Sequence, residues 1–158
     1  MDQKLMMRII IGFVLLAFGA FGIFSFIPQI SKSINYSRLS SACSGIISTG
    51  GIDPRAQDLA ATITIQCRLA NLEVLRKTAE KAIVDLTIGR VNAMGSVTVD
   101  AILTSVSELS NQFDTTPEQT KCLAALTIMK LNFPTTWELV ETQHGDDLKP
   151  FEELIDKR

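Results

Sequence analysis

The sequence predicts an all-α chain: an N-terminal single transmembrane helix followed by a small helical bundle of about three to five helices. Three observations carry this. Residues 9–27 form an apolar run of 19 residues without a charge. Beyond that run the aromatics are only Tyr36, Phe113, Phe133, Trp137 and Phe151, so a core must be built from Leu, Ile, Val, Ala and Met. Such a composition suits packed helices better than a sheet. From Asp53 onward, apolar residues recur three and four apart, punctuated by Pro, Gly and capping residues.

The first element is the anchor, residues 1–28. As a helix the run is about 28 Å long, close to the hydrocarbon thickness of a bilayer. A signal anchor ending near Pro28 is one reading. A secretory signal, with Lys4 and Arg8 as its basic region and cleavage after Ala17/Gly19 or Ala20/Gly22, is the other. Length favours the anchor, because secretory apolar regions usually run about 7–15 residues. Lys4, Arg8 and the terminal amine narrowly outweigh Lys32 and Arg38, which favours an extracytoplasmic C-terminal part, periplasmic or equivalent. Gly12, Gly19 and Gly22 share one helix face, a seam for a partner or for homo-oligomerisation through the transmembrane helix. Their spacing is not GxxxG, and glycine is common in such helices anyway.

Residues 29–52 read as a Ser/Gly-rich linker, with Gly50-Gly51 as a strong breaker. Cys43 falls in it, as an odd thiol open to an intermolecular bridge or modification. Residues 53–145 read as the bundle domain. Asp53 is an N-cap and Pro54 a first helical residue. The helix they open continues to about Met94, with a break near residues 87–89 or earlier. It carries two apolar faces, one with Leu59, Ile63, Cys67 and Ala70, another with Ile65, Leu69, Ile83 and Leu86, which predicts the central member of the bundle. Val99, Ile102, Leu103, Val106, Leu109 and Phe113 mark the next helix. Thr116-Pro117-Glu118-Gln119 is a capping box opening a helix that stops before Pro134. Thr135-Thr136-Trp137-Glu138 reads as a second box, opening a short helix that ends near Gly145. The tail, residues 146–158, is amphipathic through Leu148, Phe151, Leu154 and Ile155, fit to dock on the bundle or on a partner.

Few residue patterns suggest chemistry. Cys67 and Cys122 lie on apolar helix faces, so they are the pair expected to meet as a disulfide if the domain faces an oxidising compartment. Reduced thiols packed as small hydrophobes in a cytosolic domain are the alternative. Glu141, His144, Asp146 and Asp147 are the densest titratable cluster. A single His near a helix C-terminus is explained by the dipole alone, and no second cluster completes a metal site. No phosphate-binding loop, dinucleotide fingerprint or nucleophile elbow is present, and no cofactor is expected. Residues 32–158 carry 13 basic and 16 acidic side chains without a basic patch, which argues against nucleic acid. Phe133, Trp137 and Phe151 are candidate partner contacts beside the three glycines. The expectation is a membrane-tethered, non-catalytic interaction module with a protein partner, in an envelope or secretion-type complex. The alternatives are a secreted helical protein released by signal cleavage, and a small enzyme or metal-binding protein using Glu141 and His144.

Overall fold

Residues 34–71, 77–94 and 98–156 are described by the computed structural model. They form six α-helices and one 3₁₀ turn, with no strand among the described residues. The helices are α1 Tyr36–Ile47, α2 Pro54–Ala70, α3 Lys77–Met94, α4 Val99–Ser107, α5 Pro117–Asn132 and α6 Pro134–Asp156, with the 3₁₀ turn Ser110–Phe113 after α4. Six helices exceed the three to five expected. No helix among the described residues is long and apolar enough to cross a membrane. The expected span, and with it Gly12, Gly19 and Gly22, lies outside the described residues.

The extra helix is α1, inside the stretch read as linker. Its Ser content misleads, because a serine hydroxyl can bond back to its own helix. Ser41 donates to the Ser37 carbonyl at 3.1 Å and Ser44 to the Ser41 carbonyl at 2.8 Å. Asn35 caps the first turn by accepting from the Arg38 amide at 3.2 Å. Tyr36, Leu39, Ser40, Cys43 and Ile46, spaced three and four apart, are buried. That periodicity was present in the sequence, beneath a composition that reads as loop.

Asp53 caps α2, its carboxylate accepting from the Arg55 amide at 2.9 Å, with Pro54 in the first turn. The long apolar stretch is two helices. α2 ends at Ala70 with Asn71 as its cap, while Gly89 stays inside α3 without breaking it. A glycine costs a helix only about 1 kcal/mol, too little to interrupt one held by tertiary packing. α1 and α2 run antiparallel: the Ser37 amide donates to Asn71 Oδ1 at 3.3 Å, and Ser40 Oγ to the Thr64 carbonyl at 2.5 Å.

The central helix is α5, not the 53–94 stretch. Residues 122–129 are all buried, and α5 packs against α2, α3, α4 and α6. A helix surrounded on every side needs no polar face, so its apolar residues show no single stripe. Its capping box forms in full: Thr116 Oγ1 accepts from the Gln119 amide at 3.3 Å, and Gln119 Oε1 from the Thr116 amide at 3.0 Å.

The second box does not form. α6 begins at Pro134, and Phe133 already accepts from the Trp137 amide at 2.9 Å, so Thr135 lies within the helix. Near Gly145 the chain kinks rather than stops: His144 leaves helical geometry (φ −137°, ψ 29°) and the helix resumes to Asp156. The tail lies on the bundle, with Leu148, Phe151 and Leu154 buried. Glu152 locks it there by accepting from Lys130 Nζ and from Trp137 Nε1, each at 3.1 Å.

Candidate functional site

A groove of about 740 Å³ opens where the loop after α1 faces the start of α6. Thr49, Gly50, Gly51, Ile52 and Asp53 form one wall. Asn132, Phe133 and Pro134, with the first two turns of α6, form the other. Both walls follow from local chemistry. Gly51 takes φ +87°, a left-handed conformation that glycine adopts without steric cost, and this turns the chain back from α1 into α2. Phe133 ends α5 because Pro134 disfavours helical geometry in the residue before it, yet Pro134 suits the first turn of the next helix.

Phe133 is half-buried, and the Arg55 guanidinium lies 5.7 Å from its ring centroid. The same guanidinium pairs with Asp53 at 2.8 Å, and this pairing holds the Asp53 carboxyl below the usual carboxylate range. The hydroxyls of Thr49, Thr135, Thr136 and Thr142, the Glu138 carboxylate and the apolar surfaces of Ile52, Phe133 and Leu139 complete the lining. This mixture can bind by hydrogen bonding and apolar contact. It sets no nucleophile beside a base.

The other predicted residues are distributed through the fold. Cys67 on α2 and Cys122 on α5 are joined as a disulfide, with Cα atoms 4.9 Å apart and both side chains buried. Cys43 is not exposed in a linker. It is 1% exposed within α1, and burial pushes its thiol up to about 12, which leaves it protonated and unreactive. Trp137 and Phe151 are core rather than partner contacts, at 4% and 0% exposure, with ring centroids 5.6 Å apart. Trp137 reaches a polar partner through its indole N–H, as buried tryptophans usually do. Of the three aromatic candidates, Phe133 alone lines the groove.

Glu141 and His144 do not form a site together. Glu141 is exposed, while His144 Nδ1 lies 3.9 Å from Asp147 Oδ2. Asp147 in turn pairs with Arg38 of α1 at 3.1 Å. The cluster therefore ties the kink of α6 to α1. Among the described residues no three His, Cys, Asp or Glu side chains group as metal ligands.

One polar pair was missed by sequence reasoning. Tyr36 OH donates to Glu80 Oε1 at 2.7 Å, with the two side chains 5% and 8% exposed. Burial raises the Glu80 carboxyl above its usual range, opposed by the Tyr36 hydrogen bond and by Lys77. Burial, and then the carboxylate itself, push the Tyr36 phenol far up. Glu80 shares a helical face with Ile83, Val84 and Thr87, and that register was the available signal.

Comparison with protein-family models, with characterised proteins and with solved structures finds no match to this chain.

Proposed function

We propose that the chain is a membrane-tethered, non-catalytic helical interaction module of an envelope or secretion-type complex, with its bundle on the extracytoplasmic side. One observation carries the reading: a charge-free run of 19 residues precedes a compact unit whose helices α2 and α5 are cross-linked by a buried disulfide. Disulfides form and persist in oxidising compartments, while the run has the length of a bilayer span. The groove adds a candidate partner surface. It lies at the C-terminal end of α1, about 18 Å along that helix from where the chain enters the unit at Ile34.

Two assays on cells test the reading. Thiols are trapped by acid, the protein is denatured, and free cysteines are tagged with a mass-shifting maleimide. An extracytoplasmic bundle gives one tag, on Cys43, and three tags after reduction. Three tags without reduction overturn the assignment of side. Alkaline extraction then separates the anchored form, which stays with the membrane, from the secreted alternative, whose mature chain lacks the apolar run.

A further inference from the structure

Four large apolar side chains are exposed among the described residues, and the two most exposed are neighbours. Ile65 is 58% exposed and Leu69 45%, one turn apart on α2, while Ile47 and Leu131 reach only 37% and 40%. Arg68 is exposed beside them. The opposite face of this helix, through Ile63, Cys67 and Ala70, is fully inside the bundle. α2 therefore shows water an apolar pair with a cation, in the last two turns before its C-terminus.

That end of α2 adjoins the point where the chain enters the compact unit. The unit begins at Ile34, and the Ser37 amide bonds Asn71 Oδ1, the cap residue of α2, at 3.3 Å. Six residues separate Ile27, the end of the apolar run, from Ile34, and the seven steps between them reach at most about 25 Å. If the run spans a bilayer, the end of α2 cannot leave its vicinity. Tethering of this kind raises the effective concentration of the surface to the millimolar range, where even a two-residue contact becomes populated.

We propose that Ile65 and Leu69 enter the bilayer surface, with Arg68 among anionic headgroups, so that the bundle rests on the membrane through the end of α2. The proposal rests on the tethered reading above. Charge favours lipid over a second copy of the chain. An isologous contact centred on this pair would bring each Arg68 close to its own symmetry mate, whereas anionic lipid attracts a juxtamembrane cation.

The test uses the full chain in phosphatidylcholine vesicles with and without phosphatidylglycerol. Ile65→Cys and, at the far end of α1, Thr49→Cys are labelled with a polarity-sensitive maleimide dye. Native cysteines do not interfere, since Cys43 is buried and the other two are bridged. The expected result is a blue-shifted dye at position 65, quenched by nitroxide-bearing lipids roughly twofold more than at position 49. The difference shrinks without phosphatidylglycerol and in an Arg68→Glu background. Equal quenching at both positions, in vesicles that keep the chain through an alkaline wash, overturns the lipid face while the anchor stands. Dye at position 65 shielded from water without lipid quenching, with cross-linking between copies, assigns the face to a second copy and overturns it too. Loss of the chain in the alkaline wash removes the anchor, and the proposal falls with it.

Discussion

α2 and α5 are cross-linked to each other, yet they meet their surroundings in opposite ways. α5 is buried through residues 122–129 and touches four other helices. α2 buries Ala56, Leu59, Ala60, Ile63, Cys67 and Ala70 and turns Ile65 and Leu69 to solvent. Both helices are capped by a side chain and opened by a proline. Local signals set where each begins; its number of neighbours sets how much of its apolar surface is covered. An apolar residue within 122–129 of α5 is therefore a packing residue, whereas the same residue type at position 65 or 69 contributes little to folding and is free for another contact.

The largest effect expected is on the link itself. Cys67 and Cys122 close a loop across a sequence separation of 55. Closing such a loop removes unfolded-state entropy worth about 4 kcal/mol. A Cys67→Ala/Cys122→Ala chain should lose close to that in urea denaturation of the detergent-solubilised protein. An unchanged midpoint would show that packing around α5 holds the two helices together without the bridge.

Next comes the contrast between the helices. Leu126→Ala in α5 should cost about 2–5 kcal/mol, because the fully enclosed site leaves a cavity. Tyr36→Phe, which strips Glu80 of its donor, should cost about 1–3 kcal/mol near neutral pH. Glu80 also sets a pH dependence. Its folded carboxyl titrates above the unfolded one, so the folded state binds its proton more tightly. The stability this confers is present at low pH and is lost as pH rises through the folded value. Glu80→Gln should therefore stabilise the protein at neutral pH, leave it nearly unchanged in acid, and flatten the decline between; melting temperatures across that range check it. The smallest effect belongs to α2: Leu69→Ala should shift stability by less than about 0.5 kcal/mol. A loss as large as that of Leu126→Ala would erase the distinction between the two helices.

Local signals were legible where one residue acts on its own neighbours. Asp53 with Pro54, and Thr116 with Gln119, announced the starts of α2 and α5 because a cap is satisfied within one turn. The groove was not legible as a cavity. Phe133 could be singled out as an aromatic at a turn, but the opposing wall comes from residues 49–53, brought there by the reversal at Gly51. The roles of Trp137 and Phe151 were misread for a related reason. Their burial depends on α6 continuing past His144 and folding its second half onto the bundle, where Glu152 meets both Lys130 and Trp137.

The sequence by itself determined the helical class, the two well-formed helix starts, the amphipathic tail and the length of the apolar run, all properties of spacing and of residues within a turn of each other. Only the tertiary structure decided that residues 36–47 are a core helix, that α5 is the centre, and that Glu80 is buried against Tyr36. Periodicity states which residues share a face. It does not state how many faces are covered, and that number depends on helices far apart in the chain packing around a common core.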